Sequence, residues 1–157
     1  MMAQQHRLPK VQSLVLLLAL LCGTSAAMSA EQRLPMTALA SGNLALHAYL
    51  GSALETDLLF DTGSGYVSLS KASFEHIEAQ PGTTFERHIR GKLANGAALS
   101  VPIYKVRELR LSGECVLRDI EVAVFPHADR DILGINALRQ LQPFTVEMEP
   151  PALVANC

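Results

Sequence analysis

Leu58-Leu59-Phe60 runs directly into Asp61-Thr62-Gly63-Ser64-Gly65. Three large apolar residues in a row predict a buried strand. Such a strand delivers Asp61 from its end, at the margin of the core rather than in open solvent. A carboxyl held against hydrocarbon is a candidate proton donor or acceptor, so Asp61 is the first candidate for catalysis. Gly63 and Gly65 permit a tight turn and a close approach of backbone to a bound molecule. The competing reading is a solvated turn after a strand, because Asp, Ser and Gly are common turn residues. Asp-Thr-Gly alone is too short to decide between the two.

The other reactive side chains point to less. Asp57 falls in a strand arm and is expected to face water. Asp129 and Asp131 flank Arg130, and a solvated turn suits them better than a second catalytic acid. His47, His76, His88 and His127 lack metal-ligand spacing, so no metal is expected. Neither a Gly-rich phosphate loop nor a Gly-x-Ser-x-Gly elbow occurs, so no cofactor is expected. The hydroxyls beside Asp61 have no neighbouring base of serine-hydrolase type.

The elements that must position Asp61 read as strands. Leu44, Leu46, Ala48 and Leu50 alternate with Ala45, His47 and Tyr49, the period of a half-buried strand. Gly51-Ser52 turns the chain, and Ala53 to Phe60 returns as the second arm of a hairpin. Before this pair, residues 28–40 read as a loose entry with a short strand, punctuated by Pro35. Tyr66 to Leu69 is a further strand, and Ser70 can cap a short helix through Ile77. Asn95-Gly96 is the strongest hairpin signal in the chain, between Thr83–Ile89 and Val101–Leu111. Pro102 suits an edge or a bulge. Val116 to Phe125 follows, with Ile120, Val122 and Val124 on one face. Asp131 to Gly134 is a short apolar strand meeting a glycine. Asn136 to Gln142 forms a short helix, and Phe144–Met148 and Ala152–Val154 are the last strands. Short strands at close spacing with one or two small helices predict a mainly antiparallel β domain, a barrel or folded-over sheet.

Composition narrows the setting. Arg7 and Lys10, the apolar run Leu14–Leu21 and Ser25-Ala26-Ala27 have the order of a cleaved export signal over residues 1–27. The run is short for a bilayer span, which makes an uncleaved anchor the lesser alternative. Residues 28–157 then form one domain, periplasmic or secreted, with no stable membrane span. All 15 acids and 11 of the 13 Lys and Arg lie beyond the signal, a formal charge of −4. No basic cluster appears, which argues against nucleic acid. Cys115 and Cys157 remain in that domain. An even count in an oxidising compartment reads as a disulfide; two free thiols or a Cys157–Cys157 bridge between copies are the alternatives.

Two features stand together: the Asp61-Thr62-Gly63-Ser64 run, and Ile132-Leu133-Gly134-Ile135-Asn136-Ala137-Leu138 further along, with the Asn95-Gly96 hairpin between them. This order resembles the retropepsin-like aspartic proteases, the family of the retroviral proteases, and in particular their small bacterial exported relatives. The resemblance covers roughly residues 40 to 148. It implies a half-barrel with a flap hairpin whose tip lies at or near Ala94, Asn95 and Gly96. It also implies that Ile132, Leu133 and Gly134 form the family's second structural element, two apolar residues and a glycine ahead of a short helix that starts at Ile135-Asn136-Ala137-Leu138. Gly65-Tyr66 stands where many members carry another small hydroxyl residue.

A peptide carbonyl is a poor electrophile and water a poor nucleophile. Two adjoining carboxyls that share one proton can take a proton from water and give one to the carbonyl oxygen. The chain has a single Asp-Thr-Gly, and a two-lobed enzyme would need two copies and about twice the length. The resemblance therefore implies a homodimer with one Asp61 from each copy, acting on a peptide or protein substrate. It implies that Thr62 hydroxyls brace the two loops, that Ser64 bonds the outer oxygen of Asp61, and that the flap covers an extended peptide. The alternative is a non-catalytic peptide-binding or assembly module of the same fold. A weaker option is an envelope structural protein in which Asp61 merely caps a turn.

Overall fold

The computed structural model describes residues 31–92 and 98–157. The expected export signal and the expected hairpin tip at Ala94, Asn95 and Gly96 lie outside the described residues.

The described residues form ten strands. The first, β1 (Glu31–Ala38), takes up most of the stretch where a loose entry with a short strand was expected. It is followed by the hairpin of β2 (Leu44–Leu50) and β3 (Leu54–Phe60). The turn between them passes through Gly51 at φ +59°, a left-handed conformation that disfavours a side chain. After the Asp61 loop come β4 (Val67–Ser70) and the single-turn helix α1 (Lys71–Glu75), capped by the Ser70 hydroxyl. Next are β5 (Thr83–Lys92), β6 (Ala98–Leu111), β7 (Cys115–Phe125) and β8 (Asp131–Leu133). Helix α2 (Ile135–Leu138) runs into a 3-10 turn at Arg139–Leu141, and β9 (Phe144–Met148) and β10 (Pro151–Asn156) end the chain.

Six of the strands close on themselves. The order β6-β7-β4-β8-β3-β2 returns to β6 through Ala48 opposite Leu111 and Leu50 opposite Leu109, which makes a barrel. Its interior is filled by Leu46, Leu50, Leu58, Leu69, Leu109 and Ile120, none more than 1% exposed. Each such side chain contributes roughly 1.5–3 kcal/mol by leaving water. A second, smaller cluster of Val101, Ile103 and Ala123 lies midway along the β5–β6 hairpin, with Tyr66, Leu99 and Phe125 packed on it.

Two pairings depart from the mainly antiparallel expectation. β3 runs parallel to β8, and β4 runs parallel to β7. Adjacent strands in the sequence would pair antiparallel through a turn, but β3 and β8 are far apart in the chain and meet by long-range packing. Of the edge or bulge expected at Pro102, the structure shows the edge, since β6 has a partner on one side only at that residue. Pro102 pairs with His88 on β5, ahead of the β6–β7 ladder, and the bulge falls on β5 between Phe85 and Arg87.

Outside the barrel, β1 pairs with both β2 and β10, and β10 pairs with β9. The two terminal strands thus pair with each other inside one protomer. Arg33 and Glu147 form an exposed ion pair across this flank at 2.7 Å. A Cys115–Cys157 disulfide ties the chain end to the start of β7. Among the described residues no helix is long and apolar enough to cross a membrane.

Candidate active site

The parallel β3–β8 pair builds the site. Phe60 lies opposite Leu133, so Asp61 and Gly134 leave the barrel side by side. The Asp61 amide continues the ladder by donating to the Leu133 carbonyl at 3.2 Å. Of the apolar run, Leu58 is fully buried, while Leu59 and Phe60 are half-buried. Phe60 meets Phe144 edge to face, with ring centroids 6.3 Å apart.

The loop then folds back on the acid. The Gly63 amide donates to Asp61 Oδ1 at 2.8 Å, and the Ser64 amide donates to the Asp61 carbonyl at 3.3 Å. A Cβ on Gly63 would sit 3.1 Å from that same carboxylate oxygen, tighter than ordinary packing. Asp61 is half-buried and Thr62 exposed. The Ser64 hydroxyl does not reach Asp61: it donates to the Tyr66 carbonyl at 2.8 Å, where the Ser68 hydroxyl also donates at 3.3 Å. That corrects the expected Ser64–Asp61 bond. The chain turns sharply after Ser64, and this brings a closer acceptor within reach.

The second motif clamps the first. The Ile135 amide donates to the Ser64 carbonyl at 2.8 Å. A Cβ on Gly134 would collide with the Tyr66 carbonyl and lie 2.9 Å from the Ser64 oxygen, so the close approach requires glycine. Asn136 completes the join: Oδ1 accepts from the Val67 amide at 2.8 Å, and Nδ2 donates to the Glu121 carbonyl at 2.7 Å. The spacing of Asn136 two residues beyond Gly134 could have marked it as part of the site; the sequence reading placed it only at a helix start.

Asp131 also departs from the sequence reading. It is 4% exposed, not solvated. Its Oδ1 accepts from the Ser70 amide at 2.9 Å, and Oδ2 accepts from Thr56 Oγ1 at 2.8 Å and Ser73 Oγ at 2.7 Å. Three donors on three elements compensate the burial, so Asp131 is an anchor for β8 rather than a second acid at the site. The adjoining Arg130 gave no hint of this, because flanking charges usually mark a solvated turn.

A cleft of about 490 Å³ opens at Asp61 and Ser64, with walls from Leu99, Phe125, Pro126 and Ile132. It is mostly apolar, as binding sites for organic ligands are. Behind it, Arg87 on β5 grips Glu121 on β7 with two bonds of 2.6 and 2.9 Å and reaches the Tyr66 hydroxyl at 3.4 Å. The bidentate Arg87 pair holds the Glu121 carboxyl below its usual pKa. Far from the cleft, His47 pairs with exposed Asp57, which raises the imidazole pKa. Among the described residues no cluster of His, Cys, Asp and Glu is arranged to hold a metal ion.

The sequence over residues 51–140 matches the family described as gag-polyprotein putative aspartyl protease. The chain belongs to that family. The match spans both the Asp61 loop and the Gly134 turn that packs on it. The fold agrees with this gag-type aspartyl protease assignment. The chain is similar to the crystal structure of a retropepsin-like aspartic protease from Rickettsia conorii, with a TM-score of 0.59 and 13% identity. The likeness covers 80% of this chain and 89% of that one. At that identity it speaks for the retropepsin-like fold. No curated protein matches the sequence. In this aspartyl protease family chain, then, the structure brings together Asp61, Gly63, Ser64 and Gly134, with Asn136 and Tyr66 as the joints between them.

Proposed function

We propose that the chain is an aspartic endopeptidase of the periplasm or the exterior, active as a homodimer. The observation that carries this is the Asp61 carboxylate, held by the Gly63 amide at the mouth of an apolar cleft. One copy supplies one acid, and amide hydrolysis by this chemistry requires two. In the dimer Asp61 of each copy shares a proton with its twin, because two carboxylates at hydrogen-bond distance do not ionise together. The ionised member takes a proton from water, the water oxygen attacks the peptide carbonyl, and the protonated member gives its proton to the carbonyl oxygen. Collapse of the tetrahedral adduct then breaks the C–N bond, with a proton delivered to the leaving amine. In that dimer the Thr62 hydroxyls brace one loop against the other, a role that the exposure of Thr62 beside Asp61 supports. Residues 1–27 read as the export signal that would send the chain there.

Replacing Asp61 with Asn tests the reading. Peptide cleavage is expected to vanish while thermal stability stays within about 0.5 kcal/mol of wild type, since the residue is not in the core. Undiminished cleavage by a clean preparation of that variant would refute it. The direction of the Ser64 hydroxyl, toward Tyr66 and away from Asp61, favours a second reading as a peptide-binding module. Under that reading the wild-type chain is a monomer at every concentration and binds peptides without cutting them.

A further inference from the structure

The cleft at Asp61 is not uniformly apolar. Leu99, Phe125, Pro126, Ala128 and Ile132 offer it hydrocarbon, and His127 and Arg130 line it as well. Of the residues that line it, Arg130 is the one with a fixed positive charge, and Asp61 is the one acid. Arg130 is half exposed, and the carboxylate nearest it belongs to Asp129, at 3.5 Å and 83% exposed. An ion pair that long and that wet is screened by water and exchanges readily. A guanidinium beside a hydrocarbon wall is a better partner for an incoming carboxylate, which it binds with two parallel bonds.

We propose that this cleft selects peptides in which an acidic side chain neighbours a bulky apolar one, with Arg130 as the residue that reads the acid. The inference rests on the endopeptidase reading for its catalytic consequence but not for the recognition itself. The volume admits a large apolar side chain together with part of a neighbouring residue. A lysine in place of the acid would face Arg130 at close range, and Asp129, standing out in solvent, offers it little in return.

The test uses the full chain and synthetic peptides with a fixed Leu or Phe, scanned at each flanking position with Glu, Gln or Lys. Wild type is expected to cut the Glu peptide about tenfold faster than the Gln peptide, in kcat/KM, at one flanking position or more. Arg130→Gln should level the two, and Arg130→Glu should turn the preference to Lys. Equal rates for Glu and Gln at every position in wild type overturn the proposal, and so does the same preference in Arg130→Gln. If no peptide is cut, the endopeptidase reading fails and the recognition is measured by fluorescence anisotropy with the same labelled peptides. Tighter binding of Glu than Gln, lost in Arg130→Gln, then upholds it; equal affinity or no binding overturns it.

Discussion

Gly134 and Tyr66 are packed backbone to backbone: the space where a Gly134 side chain would begin is filled by the Tyr66 carbonyl. That carbonyl also receives the Ser64 and Ser68 hydroxyls, so it cannot retreat without breaking the loop that holds Asp61. Gly134→Ala should therefore destabilise the domain by roughly 2–4 kcal/mol and cost nearly all activity in whatever fraction folds. Urea denaturation and peptide cleavage on the same samples check both parts. A variant of unchanged midpoint would mean that the two loops are free to part.

Asp131 begins β8 and Asp61 follows the end of β3, at opposite ends of one parallel pair, and substitution separates their roles. Asp131→Ala strands the Ser70 amide and the Thr56 and Ser73 hydroxyls in a site that is 4% exposed. Each lost bond of this kind costs about 1 kcal/mol or more, so a loss of roughly 3 kcal/mol is expected. Activity per folded molecule should stay within a few-fold of wild type at low temperature. Asp61→Asn should show the reverse pattern, full stability without cleavage.

Much of this arrangement was legible in the chain. The alternation in β2, the apolar run of β3 and the Gly-Ser turn between them gave the hairpin that presents Asp61, because both are local patterns. The β3–β8 pairing was not legible: its partners, Leu58 and Asp131, are far apart, and nothing local distinguishes a parallel neighbour from an antiparallel one. Asp131 was misread for the same reason. A buried carboxylate with three donors looks in sequence like any acid in a charged turn, since Thr56, Ser70 and Ser73 become its neighbours only on folding. Tyr66 was noticed as a departure from the family pattern. Its part, accepting two serine hydroxyls through the carbonyl, depends on a turn that residue types alone do not specify.

The Arg87–Glu121 bridge makes a prediction in pH. Arg87 lowers the Glu121 pKa in the folded chain, so this pair stabilises above the ordinary carboxylate value, 4.5, and is lost as pH falls through the folded value. Both side chains are about a third exposed or more, so solvent screening keeps the contribution small. Arg87→Met should melt slightly below wild type at pH 7, and the gap should close below about pH 4.5. His47 has the opposite sign: its bond to Asp57 stabilises the charged ring, and that small gain fades as pH rises above the ordinary histidine value of 6.5. A gap for Arg87→Met that widens in acid would contradict the assignment.

The Cys115–Cys157 bridge closes 42 residues of sequence and fastens the β9–β10 flank to the barrel. Closing a loop of that size restricts the unfolded chain, and its loss is expected to cost roughly 2–4 kcal/mol. The double replacement Cys115→Ala, Cys157→Ala should unfold at lower denaturant by that amount. Wild type should fall to the same midpoint in reducing agent, while the double variant should not respond. A reductant effect on the double variant would place the redox sensitivity elsewhere.

The strongest demand of the mechanism is stoichiometric. Each chain brings one Asp61, and it is the one acid among the residues that line the cleft. Specific activity should therefore fall on dilution, in step with the loss of the dimer by sedimentation. Mixing wild type with an excess of Asp61→Asn should poison it further, because most wild-type chains then sit opposite a neutral amide that supplies no acid. At a ninefold excess of the variant, with random exchange, about one wild-type chain in ten keeps an active twin. Activity that follows wild-type concentration alone, unaffected by the variant, would show that a single copy carries both acids and that the shared-proton dyad is wrong.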